Sequence, residues 1–434
     1  MDSRPVTGAP SVVTPAPPTP AATRATTGSA TLLLMADIRG VLRPCGCTVD
    51  LQKGGFERLK PHLDAERAAH PGAHLLHAGP LFYEGAETEA SKKAQRARQV
   101  EVAADLIHRV GVDTVALTAV DLAASHGELN RLLGLAKASV TIGNVNVPGQ
   151  EPYPRYLVQR VGDLDIGIFA LADDAHTEAL GGAATVTPPR DAARRIVAEL
   201  APRADLIVLL SALGLRETKR LVRKIPGIHF AIAGGLGEYP VASDEAELVG
   251  TTRVMQFHRE GRFVGRLSVR LVDGETDFVD ASAPSEAELA SLDTRIAQLQ
   301  SSLRRWKAEG QDAATRAVRS AEHHLQSLTE ARDRLKRLDV EAPEGRSTFS
   351  FRVTPLNWDL PQDPELLALM DAFDEELKSI NLANAGTLPE PKPGEAVYVG
   401  VEECLSCHDE VQAFWDADKH HHAWETLVGL KKTF

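Results

Sequence analysis

Short apolar runs alternate with stretches of helical periodicity between residues 31 and 280, and this alternation constrains the fold more than any other feature. Most runs end at a turn residue or a polar loop. Segments such as 99–110 and 191–200, with apolar residues three and four positions apart, lie between them. This rhythm is typical of an α/β fold with a largely parallel inner sheet. The predicted strands are residues 31–35, 74–77, 115–118, 140–142, 165–171, 206–210 and 229–233.

The end of this region predicts a β-hairpin. Two further apolar runs, 253–257 and 263–271, are separated only by the polar segment 258–262, which contains Gly261. Two strand-like runs joined by a short turn with glycine usually pair with each other.

A helical hairpin is expected over residues 284–340. Ser285 and Glu288 form a capping box, the signature of a helix start. Apolar residues then recur at spacings of three and four on both sides of Gly310. We expect two antiparallel helices in a short coiled coil, each too polar to fold without the other. The tip of the hairpin is also a candidate contact for a partner protein.

Five segments are predicted along the chain. The first lacks the apolar core of a signal peptide. The segments are a disordered Pro/Ala/Thr-rich leader (1–30), an α/β domain (31–283), the helical hairpin (284–340), a linker with one helix at 363–381 (341–395) and a C-terminal segment (396–434).

The charge balance excludes two classes of partner. The formal net charge of the 434-residue chain is −12, which argues against nucleic acid and anionic membrane surfaces as general partners. No apolar run approaches the roughly 18 residues that a membrane-spanning helix needs.

The C-terminal segment contains Cys404-Leu-Ser-Cys407-His408. This spacing allows two thiols to add to the vinyl groups of one haem while the histidine ligates the iron. The motif therefore predicts one covalently bound haem c. The alternative is a zinc site completed by histidines from the run 420–422.

The surroundings of this motif resemble the opening of multihaem c-type cytochromes. That family has a Tyr-x-Gly before its first Cys-x-x-Cys-His, as at 398–400 here, and a later Trp followed by His-x-x-Ala. The resemblance implies that His420 or His422 is the distal haem ligand. It also implies a redox partner protein, such as another multihaem cytochrome, and a periplasmic or other extracytoplasmic location, either free or tethered to a membrane. Because haem c is normally attached after export, we expect an export signal to lie upstream of residues 1–30 or to have been removed. Only one such motif is present, so the chain is expected to be truncated or to share haems with a partner.

Residues 31–271 resemble the 5′-nucleotidase branch of the calcineurin-like metallophosphoesterases. Segment 36–40 matches the turn after the family's first strand and keeps Asp37, and Gly261 to Gly265 fits the closing turn. The resemblance implies an α/β sandwich with a binuclear metal site, in which two metals activate the attacking water.

Most of the metal ligands of that family are replaced here. Arg39 stands for a histidine, Pro80 for the bridging aspartate and Ala212 for a further histidine. The Asn-His pair is missing from 118–122, and both closing histidines are missing from 233–237. We expect the two remaining aspartates, at 37 and 121, to be too few for two divalent ions.

A Cys-x-Cys motif, Cys45-Gly-Cys47, lies in the loop after the first strand. Such a pair can chelate a soft metal, form a strained disulfide or carry sulfur as a redox relay. A structural turn with two inert cysteines is the other option. Together with Asp37 and Arg39 these cysteines are the candidate catalytic residues. Arg39 and Arg43 would favour an anion or lower the pKa of a thiol.

Three functions follow from these patterns. The first is an exported c-type cytochrome for electron transfer, built on an inactive phosphoesterase-like scaffold. The alternative is a metal- or thiol-dependent hydrolase, or a sulfur-handling enzyme, of the 5′-nucleotidase-like fold. The third is a scaffold whose hairpin docks a respiratory complex. The sequence leaves open whether the chain is an enzyme.

Overall fold

The computed structural model describes most of the chain, in separate stretches. They are residues 26–44, 52–85, 92–122, 126–147, 153–173, 184–235, 245–282, 286–308, 316–337, 344–384, 401–405 and 407–429.

The strands fall into two large sheets and one small one. In chain order they are β1 (Gly28–Ala36), β2 (His74–Ala78), β3 (Thr114–Ala116), β4 (Ser139–Thr141), β5 (Val145–Asn146), β6 (Leu157–Val161), β7 (Leu164–Leu171), β8 (Thr185–Val186), β9 (Leu206–Ser211), β10 (Phe230–Ala233), β11 (Glu247–Val249), β12 (Thr252–Gln256), β13 (Phe263–Leu271), β14 (Val279–Asp280) and β15 (Thr348–Pro355).

The helices lie mainly between the strands. They are α1 (Phe56–Ala69), α2 (Lys93–Val110), α3 (Ala119–Leu122), α4 (His126–Ala136), α5 (Pro189–Leu200), α6 (Leu215–Val222), α7 (Glu286–Ala308), α8 (Arg316–Arg337), α9 (Pro364–Asn384), α10 (Val401–Leu405), α11 (Asp409–Ala417) and α12 (Ala423–Gly429).

Each large sheet has a parallel centre. The first sheet has the strand order β14-β15-β13-β1-β2-β3-β4, in which β1 to β4 are parallel. The second has the order β11-β12-β10-β9-β7-β6, in which β7, β9, β10 and β12 are parallel. The predicted strands are present, and they divide between two sheets.

The two sheets pack face to face, with helices on their outer sides. Alternate residues of β1 show this arrangement: Leu34 and Ala36 pack in the cluster between the sheets, whereas Leu33 and Met35 pack against α1 and α2. On the other side, α5 and α6 cover the second sheet. Because both faces of each central strand are buried, its sequence is almost continuously apolar. The predicted α/β sandwich is confirmed.

The predicted β-hairpin at residues 253–271 is wrong. Strand β12 pairs with β10 in the second sheet, whereas β13 pairs with β1 and β15 in the first. The turn between them therefore crosses from one layer to the other, and the backbone N–H of Glu260 donates to Asp37 O at 2.7 Å. A short polar turn does not distinguish a hairpin from a crossover, because the choice depends on pairing with distant strands.

Residues 344–384 belong to the first sheet and its helical cover. Strand β15 lies between β13 and β14, and α9 buries Leu366, Met370 and Phe373 in the same core as α1 and α2. This segment was predicted as a linker with one helix. The helix is present, but the strand was not predicted, because its partners lie far away in sequence.

Helices α7 and α8 pack against each other over a small core. Leu303 and Val318 are buried there, with Leu299, Trp306 and Leu325 partly buried around them. A coiled coil and a partner at the tip, whose residues 309–315 lie outside the described part, stay predictions.

Within the part of the chain that the structure describes, no helix is long and apolar enough to cross a membrane.

Candidate active site

A pocket lies where the carboxyl ends of parallel strands from both sheets meet. Its walls follow β2 and β3 in the first sheet, and β7, β9 and β10 in the second. In open parallel sheets this edge is where ligands usually bind. Its empty volume is about 220 Å³, part of it open to solvent. The lining residues are Pro80, Thr118, Ala119, Val120, Asp173, Ala212 and Gly235.

Asp121 fixes the first-sheet side of the pocket. Its side chain is fully buried, and the hydroxyl of Thr118 donates to Asp121 Oδ2 at 2.7 Å. The backbone N–H groups of Leu81 and Phe82, which follow Pro80, donate to the same carboxylate at 3.3 and 2.9 Å. One buried acceptor therefore holds two separate parts of the wall.

Asn144 fixes Asp173 on the opposite side. The backbone N–H of Ala172, next to Asp173, donates to Asn144 Oδ1 at 2.8 Å. Asn144 Nδ2 donates to the backbone oxygens of Ala172 at 2.9 Å and Thr187 at 3.2 Å. The amide of Asn144 thus pairs with the Ala172 backbone as a neighbouring strand would. The backbone immediately before Asp173, at the end of β7, is therefore held in position.

Asp37 and Arg39 hold Gly235 from both sides. The backbone N–H of Gly235 donates to Asp37 Oδ1 at 2.9 Å, and Arg39 Nη2 donates to Gly235 O at 2.7 Å. Both side chains are buried, and Arg39 Nη2 lies 3.8 Å from Asp37 Oδ2. The Asp37–Arg39 pair therefore lies directly behind the pocket wall.

Glycines make room for this pair. A Cβ atom on Gly79 would lie 2.0 Å from Asp37 Oδ1, and one on Gly235 would lie 2.7 Å from Ala212 O. Gly235 also has a φ of +138°, which a side chain would strain. The glycines at both positions are thus required by the close approach of the two sheets at this end.

Burial dominates the electrostatics of the two aspartates. It raises the pKa of Asp37 from 3.8 to about 7, although Arg39 and the hydrogen bond from Gly235 act in the opposite direction. Burial also raises the pKa of Asp121, against the hydrogen bonds from Phe82 and Thr118. Asp37 is therefore a proton-exchanging group near neutral pH, next to the pocket.

Solved structures share this architecture. A 5′-nucleotidase precursor from Thermus thermophilus is 18% identical, with a TM-score of 0.54 over 81% of this chain and 59% of that chain. The sulfate thiohydrolase SoxB from Thermus thermophilus is 14% identical, with a TM-score of 0.55 over 84% of this chain and 62% of that chain. This chain has the fold of the 5′-nucleotidases. It spans about three fifths of the length of each of these two proteins.

No protein-family model and no curated protein matches the sequence. At identities below one fifth, the structural likeness establishes the nucleotidase fold, and the activity has to be argued from the site.

The prediction of an electron-transfer cytochrome is wrong. The two structures described above, each matching more than four fifths of this chain, are named as a nucleotidase precursor and a thiohydrolase, and neither supports a cytochrome c segment. The prediction rested on a motif of five residues outside the two sheets, which says nothing about the chemistry of the main fold. The alternative prediction, a hydrolase, fits the nucleotidase fold better.

The binuclear metal site of the resembled family does not fit the described residues at this edge. Within the described residues, no group of three or more His, Cys, Asp or Glu side chains is placed to hold a metal ion. Pro80, Ala212 and Gly235 offer no side-chain ligand to the pocket. His77 does not line it, and its Nε2 accepts a hydrogen bond from the Ile38 N–H at 3.2 Å.

The structure brings some predicted site residues together and leaves others apart. Asp37 and Arg39 are neighbours at the pocket, whereas Cys45 and Cys47 lie outside the described residues. Arg43, close to the cysteines in sequence, turns to α9 and pairs with Asp371 and Asp374 at 2.6 and 2.9 Å.

The residues of the haem motif lie in the C-terminal helices. Cys404, Cys407 and His408 are exposed, and His422 is exposed with its Nδ1 3.1 Å from Glu425 Oε2. His420 lies in a 3₁₀ turn, and its side chain is outside the described part. Haem c, its ligands and a redox partner stay predictions.

Covalent haem c at Cys404 and Cys407 has a direct test. Export of the chain in a host that matures c-type cytochromes should give one c-type haem per chain in a pyridine haemochrome spectrum. The Cys404→Ser/Cys407→Ser variant, in which no thioether bond can form, should give none. Zinc bound to the wild-type chain instead of haem would contradict the prediction.

Thr118, Asp173 and Asn144 were missed in the sequence. Asp173 had a usable signal, because it is the first charged residue after the apolar run 166–172 and strand ends carry sites in parallel sheets. Thr118 and Asn144 had none, since their roles depend on which strand ends meet in space.

Proposed function

We propose that this chain is a hydrolase of the 5′-nucleotidase-like fold, and that it cleaves the bond between a small tetrahedral oxyanion group, such as phosphate or sulfate, and its carrier. The observation that supports this most is the construction of the pocket. Its walls after β2, β3, β7 and β10 are each held by a buried polar side chain: Asp121, Asn144, or the pair Asp37 and Arg39. Such buried supports keep reacting groups in place.

The size of the pocket supports a small ligand group. Its empty space of about 220 Å³ includes open solvent, so the enclosed part is well below the usual range for complete organic ligands. We expect the oxyanion to enter and its carrier to remain outside. The buried guanidinium of Arg39 lies behind the wall, where it donates to Gly235 O and faces Asp37. Its charge acts on an anion in the pocket through this wall, without direct contact.

Asp173 and Thr118 are the groups that we assign to the attacking water. Asp173 is the one ionisable side chain among the described residues lining the pocket. As a carboxylate it accepts a proton from the water as the water attacks. The hydroxyl hydrogen of Thr118 points to Asp121, so the oxygen of Thr118 is left to accept a hydrogen bond from the same water.

Thiol chemistry is the second candidate within this function. Cys45 and Cys47 follow Arg43, whose end of the loop is tied to the main fold because the Phe56 N–H donates to Leu42 O at 3.3 Å. A thiolate from this loop could act as the nucleophile in place of water.

An extracytoplasmic location is also part of this proposal, and cell fractionation tests it.

Hydrolysis should be measured with a phosphomonoester, a 5′-nucleotide, a sulfate ester and a thiosulfonate, each in EDTA and in Mn²⁺. In the Asp173→Asn variant we expect kcat on the accepted substrate to fall by about 10²- to 10⁴-fold, because a general base is lost. Asp191→Asn, at an exposed aspartate on α5, is the matched control and should leave kcat unchanged.

Three results would contradict these assignments. Turnover by Asp173→Asn at the wild-type rate would remove Asp173 from the reaction. Loss of turnover in Cys45→Ser or Cys47→Ser, with Asp173→Asn fully active, would show that a thiol, and not Asp173, takes part in the reaction. Absence of hydrolysis with every substrate class would reject the hydrolase.

A further inference from the structure

The strand ends around the pocket offer a cation in place of metal ligands. In the nucleotidase resemblance, this edge should carry a set of histidines and carboxylates. Of the lining residues, only Asp173 has a carboxylate. Behind the wall lie two more aspartates, Asp37 and Asp121, and the guanidinium of Arg39.

Asp121 has no oxygen to spare for a metal ion. Oδ1 accepts from Phe82 N at 2.9 Å and Leu81 N at 3.3 Å. Oδ2 accepts from the hydroxyl of Thr118 at 2.7 Å and from its N–H at 3.3 Å. A carboxylate offers about four acceptor positions. These four bonds use them, and the carboxylate is committed to the wall.

One carboxylate oxygen of Asp37 is hydrogen-bonded to Gly235, and the other faces Arg39. Its Oδ1 accepts from Gly235 N at 2.9 Å, and Oδ2 is buried and faces Arg39 Nη2 at 3.8 Å. A divalent cation at Oδ2 would stand beside a buried guanidinium, and the repulsion between like charges is severe at low dielectric. The place next to Asp37 is therefore already taken by a positive charge.

Arg39 is held in this place by the fold. Its backbone N–H donates to Pro80 O at 3.1 Å, its Nη2 donates to Gly235 O, and its side chain is 4% exposed. Arg39 thus reaches from the end of β1 in the first sheet, where its backbone lies, to the end of β10 in the second, where its guanidinium lies. Arginine stays protonated at any physiological pH.

We infer that Arg39 takes the place of a divalent metal ion beside Asp37, behind the pocket wall, so that the pocket binds a small oxyanion without a metal. The inference rests on the proposed function for the identity of the ligand. It concerns the cation of the site, which is measured separately from turnover.

Metal content is the first test. The full chain with Cys404→Ser and Cys407→Ser, which removes an exposed thiol site, is incubated with Mn²⁺, desalted and analysed by mass spectrometry for bound metal. Mn²⁺ is suitable because it prefers oxygen ligands. We expect no stoichiometric Mn²⁺ and no change in Tm on its addition. One or two Mn²⁺ per chain, lost in Asp37→Asn, would overturn the inference.

Oxyanion binding is the second test, with inorganic phosphate and sulfate as the probes. We expect phosphate or sulfate to raise Tm equally in EDTA and in Mn²⁺. The increase should disappear in Arg39→Gln and persist in part in Arg39→Lys, which keeps the charge. An increase that requires Mn²⁺, or that is unchanged in a folded Arg39→Gln variant, would overturn the inference.

The two proposals fail differently. If the chain binds phosphate through Arg39 but hydrolyses nothing, the hydrolase is rejected and the cation assignment stands. If the chain hydrolyses a substrate only with bound Mn²⁺, the hydrolase stands and the cation assignment is rejected.

Discussion

Replacing Asp121 with alanine should lower the free energy of unfolding by at least about 4 kcal/mol, because four buried donor groups would each lose an acceptor worth about 1–3 kcal/mol. The donors are the backbone N–H groups of Leu81, Phe82 and Thr118 and the hydroxyl of Thr118. No water replaces the carboxylate easily, since Asp121 is fully buried. The measurement is urea unfolding followed by circular dichroism.

Two further variants serve as comparisons for the loss of stability in Asp121→Ala. Asp121→Asn keeps one carbonyl oxygen for Leu81 and Phe82, so its loss should be smaller. Asp191→Ala, at an exposed position on α5, should change the free energy of unfolding by no more than about 0.5 kcal/mol. If Asp121→Ala were as stable as Asp191→Ala, Asp121 would not hold the pocket wall.

The second large effect is a pH dependence that comes from Asp37. Its pKa is 3.8 in the unfolded chain and about 7 in the folded protein. The folded state therefore binds the proton more tightly, and stability from this group is present below pH 4 and lost as the pH rises through 7. Three pKa units correspond to about 4 kcal/mol.

Asp37→Asn isolates this effect. Asparagine suits the backbone because Asp37 has a φ of +52°, a region that asparagine tolerates, and its oxygen can still accept from Gly235. The free energy of unfolding of the variant, relative to wild type, should rise by about 4 kcal/mol between pH 4 and pH 8. Urea unfolding across this range measures it, with Asp191→Asn as the control. A difference that is independent of pH would show that Asp37 titrates normally.

The sequence contained the pieces of the fold but not all of their connections. Apolar runs such as 206–210 predicted buried strands, because a strand covered on both faces has no polar alternation. The division into two sheets was not predictable, since β12 and β13 are neighbours in sequence but pair with different distant strands. Strand β15 was missed for the same reason.

The candidate site was predictable only where one residue type was unusual by itself. Arg39 stood out because it replaces a histidine expected after β1, and the structure places it beside Asp37. The role that we propose for Asp173 in hydrolysis depends on the position of the end of β7 next to the end of β3, at one edge of the sandwich. Asn144 acts through the backbone of a residue 28 positions away. Local sequence patterns do not reveal such contacts between residues that are distant in sequence.

The C-terminal motif led to a different error, because a local pattern was extended to the function of the whole chain. Cys404, Cys407 and His408 predict a cofactor, yet they occupy three positions in a chain whose main fold is a nucleotidase-like sandwich. A short motif predicts what binds to its own residues, and it leaves the chemistry of the rest of the chain undetermined.

A crystal structure of the full chain grown with tungstate, in EDTA, tests the central claim most directly, because tungstate mimics a tetrahedral oxyanion and scatters strongly. We predict anion density in the pocket between Thr118 and Asp173, on the open side of Gly235. A pocket that stays empty while tungstate binds elsewhere, or density at the pocket that requires a divalent metal ion, would contradict this account.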